Sequence, residues 1–106
     1  MNAISFRAAG VTFENRQGLL CHLEKCPKAN ARILLFREPG NKHDANAIKI
    51  LAATGAKRFQ VGYVPKDVAA ILAPLMDADK FIRIKNWHII GGQGLSRGLA
   101  VDTCWA

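Results

Sequence analysis

Two apolar runs, "ARILLFR" ending at Arg37 and "NAIKIL" starting at Asn46, flank one polar segment, and this arrangement constrains the fold more than any other feature. Each run is short and rich in Ile and Leu, with Gly, Pro and Asn at its borders, which predicts a pair of strands. A hairpin turns within about two to five residues. Here roughly nine, Glu38 to Asn46, lie between the runs, beyond the usual hairpin range. They include Pro39-Gly40, Asn41, Lys42, His43 and Asp44. Glycine tolerates positive φ, and Asn and Asp side chains bond nearby amides, so turn chemistry explains the composition. It does not explain the length. A long polar loop on a rigid strand pair is a usual home for a binding site.

The rest of the chain repeats the same scale of element. "ISFRAAGVTF" (Ile4 to Phe13) predicts a first strand. "NRQGLLCHLEKC" predicts a helix capped by Asn15, with Leu19, Leu20, Leu23 and Cys26 at helical spacing and Pro27 as its stop. In "FQVGYVP", Phe59, Val61 and Tyr63 alternate onto one face. "KDVAAILAPLMDA" gives Val68, Ile71, Leu72, Leu75 and Met76 a helical face, with Pro74 predicting a kink or a split. "KFIRIKNWHII" alternates as a strand from Lys80, with Phe81, Arg83, Lys85, Trp87 and Ile89 on one side. "GGQG" is a turn and "LAVDTCW" a last strand. The order is β-α-β-β-β-α-β-β: an α+β chain, mostly β with two helices, expected to form a small, partly closed barrel.

At 106 residues the expectation is a single domain spanning 1–106, large enough to close one core. Fifteen Lys and Arg against eight Asp and Glu leave a net charge of +7, a field that attracts polyanions, nucleic acid foremost. Three cysteines argue against a disulfide framework and for a reducing compartment. The start lacks a signal-peptide pattern, and no apolar run reaches the ~20 residues of a bilayer crossing. A cytoplasmic protein is expected.

Three groups invite chemistry. Cys21, His22 and Cys26 lack the second ligand pair of a zinc site, and Cys26 is expected in the core, so neither metal nor cofactor is assigned. His43 and Asp44 have no nucleophile near them in sequence; a metal-dependent nuclease is the less favoured alternative to a binding protein. Arg83, Lys85 and Trp87 on one strand face combine phosphate neutralisation with stacking, as single-strand binders do. The same pattern also describes aromatics packed inward beside solvated cations, and both readings stand.

"GVTFENRQ", "LLFREPGNKHDANAIKI" and "VGYVPKDVAAILAPLMD" together resemble the HIRAN domain, found near the N-terminus of Swi/Snf-type DNA-repair helicases and alone in bacteria and phages. The resemblance runs from Phe6 to Asp77 and implies a modified OB-like or SH3-like barrel in a stand-alone copy. It implies recognition of single-stranded DNA at a free 3′-hydroxyl end, in DNA repair, replication or phage DNA metabolism. By position, Asp44 would accept a hydrogen bond from the terminal hydroxyl, with Asn41 and Asn46 shaping the pocket. Phe13 would stack, Tyr63 would line the groove, and Lys66 would meet a phosphate. Arg37, Lys42, Arg83 and Lys85 would add the salt-sensitive share. The helicases carry Arg-Tyr-Tyr where this chain has Thr12-Phe13-Glu14, and Tyr in place of His43. Asp44 also fits a simple turn cap on Asn46 or Ala47. A protein-interaction module, its groove lined by Phe13, Tyr63 and Trp87, is the second hypothesis.

Overall fold

The short apolar runs pair into two antiparallel three-stranded sheets in the computed structural model, which describes residues 2–106. One sheet orders β1 (Asn2–Arg7), β6 (Leu95–Trp105) and β5 (Arg83–Gly92). The other orders β2 (Ala31–Arg37), β3 (Ile48–Thr54) and β4 (Lys57–Tyr63). Helix α1 (Arg16–Lys25) follows β1, a 3-10 turn (Lys28–Asn30) leads into β2, and α2 (Lys66–Asp77) follows β4. The expected element order holds, mostly β with two helices.

The core is supplied by the inward positions of both sheets. Ile48, Ile50 and Ala52 of β3 and Leu99, Val101 and Thr103 of β6 are buried, with Leu20 and Leu23 of α1 and Leu72 of α2 packed among them. Each large aliphatic side chain so removed from water contributes about 1.5–3 kcal/mol. Thr103 is tolerated there because its hydroxyl donates to the Ile4 carbonyl at 2.8 Å.

The two edges where the sheets meet differ. Past β1 the chain continues to Ala9, which exchanges two backbone bonds with Tyr63 on β4, at 2.7 and 2.9 Å. Gly62 permits this approach: a Cβ there would stand 2.6 Å from the Ala9 carbonyl oxygen. On the other side β2 and β5 are both outer strands, and no ladder joins them among the described residues. The barrel is bridged along one seam and open along the other.

Several expectations change in detail. The first strand stops at Arg7, so Phe13 lies in a turn. Asn15 precedes α1 but makes no side-chain cap bond, and Leu19 and Cys26 are only partly buried. Helix α2 runs through Pro74 as one element, and its buried stripe is Val68, Ala69, Leu72 and Ala73. Ile71 is 49% exposed, because the two small alanines take the sheet-facing positions instead.

Two bulges reverse alternations that the sequence suggests are continuous. In β5, Ile84 pairs with Thr103 and Asn86 with Asp102, so Lys85 has no partner and the pairing slips by one. Core-facing positions then run Ile84, Trp87 and Ile89, and Trp87 leaves the face expected for it beside Arg83 and Lys85. In β4, Gln60 pairs with Leu51 and Gly62 with Ile50, leaving Val61 as the extra residue. Phe59 therefore takes the register of Ala52 while Tyr63 takes that of Lys49.

Candidate functional site

The long loop between β2 and β3 is organised by Glu38. Its backbone N–H donates to the Ala47 carbonyl at 2.9 Å, closing the base of the loop. Its Oε1 accepts from Asn41 Nδ2 at 2.6 Å and from the Tyr63 hydroxyl at 3.0 Å. Lys49 Nζ stands 3.9 Å from Oε2. The bonds from Asn41 and Tyr63, helped by the charge of Lys49 and opposed by partial burial, hold the Glu38 carboxyl below its ordinary range. Glu38 lies in the R-E-P of the motif, but its hub role was missed in the sequence.

Asn41 passes this order down the loop. Its Oδ1 accepts from the backbone N–H of His43 at 2.8 Å and of Asp44 at 3.1 Å, an Asx turn. Asp44 Oδ1 accepts from the Asn46 N–H at 2.9 Å, the cap that turn chemistry suggests. Among the described residues Asp44 Oδ2 makes no hydrogen bond, and the residue is half-buried rather than sealed. The side chains of Lys42 and His43 are exposed. No group of three His, Cys, Asp or Glu side chains gathers among the described residues.

Tyr63 connects the loop to the segment after β1. Arg16 is buried at the start of α1; its Nη1 donates to the Gly10 carbonyl at 2.7 Å and its guanidinium lies 5.7 Å from the Tyr63 ring centroid. Gln17 ties α1 to β6, donating to the Val11 and Arg97 carbonyls at 3.0 and 2.8 Å and accepting from the Arg97 N–H at 2.7 Å. Arg16 and Gln17 close the "GVTFENRQ" block, but their role as organisers does not follow from the sequence. Phe13, 66% exposed, stands at the tip of the segment they brace. Lys66 is exposed in the first turn of α2, three residues after Tyr63, and is in no ion pair among the described residues. Phe13, Asn41, Asp44, Asn46 and Tyr63 are thus linked through one set of contacts around Tyr63 and Glu38.

The remaining expected residues lie elsewhere or are engaged. Arg37 grips Asp77 with two parallel bonds, 2.8 Å from Nε and 3.0 Å from Nη2, and gives Nη1 to the Ala47 carbonyl at 2.9 Å. That pairing raises the Arg37 pKa and lowers that of Asp77, so Arg37 anchors the loop to the end of α2. Trp87 is 8% exposed, with Lys28 Nζ 4.7 Å from its ring centroid and bonded to its carbonyl. Arg83 and Lys85 are exposed along β5, bordering a cleft of about 940 Å³ in the open seam. Among the described residues no helix is long and apolar enough to cross a membrane.

Comparison with known proteins gives a consistent assignment. The chain aligns at 45% identity over 47 residues with a Fanconi-associated nuclease 1 homolog of Oryza sativa subsp. japonica, covering 44% of this chain and 5% of that protein. It aligns at 48% identity over 48 residues with a helicase-like transcription factor of Oryctolagus cuniculus, covering 45% of this chain and 4% of that protein. The chain therefore spans only about one-twentieth of the length of these relatives. Its backbone superimposes on the crystal structure of the HIRAN domain of human HLTF with a TM-score of 0.60, at 21% identity, over 98% of this chain and 74% of that one. The HIRAN domain family model matches residues 2–99, and the chain belongs to that family.

Proposed function

We propose that this HIRAN domain is a non-enzymatic DNA-binding module that grips single-stranded DNA at a free 3′-hydroxyl end, serving DNA repair, replication or phage DNA metabolism. The observation that carries the reading is the state of Asp44. One carboxylate oxygen is fixed by the Asn46 amide, which orients the group, while the other is left without a partner among the described residues. A carboxylate with an oxygen left unbonded repels phosphates, so in a protein of net charge +7 its useful partner on a DNA strand is the hydroxyl donor at an end. A charged acceptor makes that bond stronger than a neutral one. A 3′-phosphate offers like charge in its place.

The neighbours suit the same ligand. Phe13 presents an open ring for stacking, worth ~1–3 kcal/mol per base without reading sequence. Tyr63 is held by Glu38 and Arg16, and in this reading it flanks the end nucleotide. In this reading Asn41 and Asn46, both half-buried, shape the site beside Asp44, and the exposed Lys42 and Lys66 meet phosphates, with His43 exposed next to them. Arg37 acts in this reading as a support for the loop. The relatives' names, a nuclease and a helicase-like factor, agree with a DNA partner.

The test is a titration by fluorescence anisotropy at fixed salt, using single strands ending in 3′-hydroxyl or 3′-phosphate and a blunt duplex. The hydroxyl-ended strand binds tightest. Equal binding of the two single strands removes end recognition, and no binding of any DNA returns the module to a protein partner.

A further inference from the structure

The open seam between β2 and β5 is not used by the end site. Its cleft of about 940 Å³ is bordered by Arg32, Arg58, Lys80, Arg83 and Lys85, with Asp79 the one acidic residue among its walls. These five cations are exposed, and none belongs to an ion pair among the described residues. Of the three aromatic residues lining the cleft, Trp87 is buried, while Phe36 at 52% exposure and Phe81 at 81% are open to solvent. Large rings left this open beside unpaired cations are the parts from which single-strand grooves are made: cations meet the backbone, and rings stack on bases.

We infer that this seam is a second binding site, which holds internal nucleotides of a single strand independently of any strand end. The inference rests on the DNA reading above for its choice of ligand, and adds a site that needs neither Asp44 nor a terminal hydroxyl. Charge argues for a polyanion. Geometry argues against an acidic peptide added as a strand between the two edges. At one part of the seam Cα atoms of β2 and β5 lie within 8 Å of each other, less than the roughly 9.5 Å that one intervening strand requires, so no strand can pair along its whole length. The cleft ends at Phe36, one residue before Arg37, and none of the residues assigned to the end site lines it. The seam is therefore a separate site, and about four nucleotides is the least such a groove accommodates.

A circular single strand separates the two sites because it has no end. The wild-type protein is expected to bind the circle with strong salt dependence. Phe36→Ala combined with Phe81→Ala should lower that affinity by about tenfold or more, whereas Asp44→Asn leaves it unchanged. Both phenylalanines are exposed, so an unchanged thermal midpoint is the folding control, and Arg32→Ala with Arg83→Ala serves as the second variant if that control fails. Failure to bind the circle, or equal binding by the wild type and either double variant, overturns the seam site. Displacement of the circle by a poly-glutamate peptide of equal charge, at lower concentration than unlabelled single strand, overturns it in favour of an acidic protein partner. Loss of 3′-hydroxyl preference with the circle still bound removes the end site and leaves the seam.

Discussion

At the bridged seam, Ala9 and Tyr63 are bonded backbone to backbone, and the polar side chains around them are almost wholly occupied with one another. Glu38 serves Tyr63 and Asn41, Asn41 serves His43 and Asp44, and Asp44 serves Asn46. At the open seam, Lys28 is held by Trp87, but Arg32, Arg58, Lys80, Arg83 and Lys85 belong to no ion pair among the described residues, and Phe36 and Phe81 are exposed. The contrast separates two ways in which polar residues act. Where they are spent on the protein they fix geometry, and selectivity should follow. Where they are unspent they supply attraction, and salt-dependent affinity should follow.

The most disruptive way to break this contrast is Gly62→Val. The new side chain collides with the Ala9 carbonyl and forces the bridged seam apart, at a cost of about 1–3 kcal/mol. Chemical denaturation should show a lower midpoint, and preference for a 3′-hydroxyl should be lost along with it. Glu38→Ala comes next. It strands the Tyr63 hydroxyl, the Asn41 amide and Lys49 together. Because the site is only partly buried, about 1–2 kcal/mol is expected, with faster amide exchange at His43 and Asp44 by NMR.

Acid tests the same network without mutation. The Glu38 and Asp77 carboxyls titrate below their unfolded values, so they stabilise the fold fully above the ordinary carboxylate range. That contribution disappears as pH falls through their lowered folded values, and the thermal midpoint should drop below roughly pH 4. In Glu38→Gln the drop should be shallower. The smallest effect on stability belongs to the open seam: Arg83→Ala with Lys85→Ala should leave the denaturation midpoint within about 0.5 kcal/mol. It should nevertheless weaken binding to every single strand and flatten the salt slope by about 0.7 per cation removed. An unchanged slope places these cations outside the DNA path.

The contrast also explains which parts of the molecule are legible in the sequence. Strands and helices follow from apolar runs with Gly, Pro and Asn between them, and six strands and two helices form in the expected order. The phase within a strand is harder. "KFIRIKNWHII" reads as one alternation, but a single unpaired Lys85 reverses it and carries Trp87 into the core. Val61 does the same in β4. A bulge is invisible to periodicity because apolar residues stand on both sides of the slip. The loop stands out in the sequence as a candidate site by its length, and the Asx bonds of Asn41 and Asp44 follow from their chemistry. Arg16 was not legible: a buried arginine that braces a tyrosine depends on a partner 47 positions away, and nothing local announces it.

The most direct measurement exchanges one atom of the loop. In Asp44→Asn the side-chain oxygen can still accept from the Asn46 amide, so the loop keeps its cap while the charge is removed. The ratio of dissociation constants for 3′-phosphate and 3′-hydroxyl single strands, measured for both proteins at one salt concentration, isolates that charge. The account predicts a ratio well above one for the wild type and close to one for Asp44→Asn, with similar thermal midpoints. The same ratio in both proteins contradicts it.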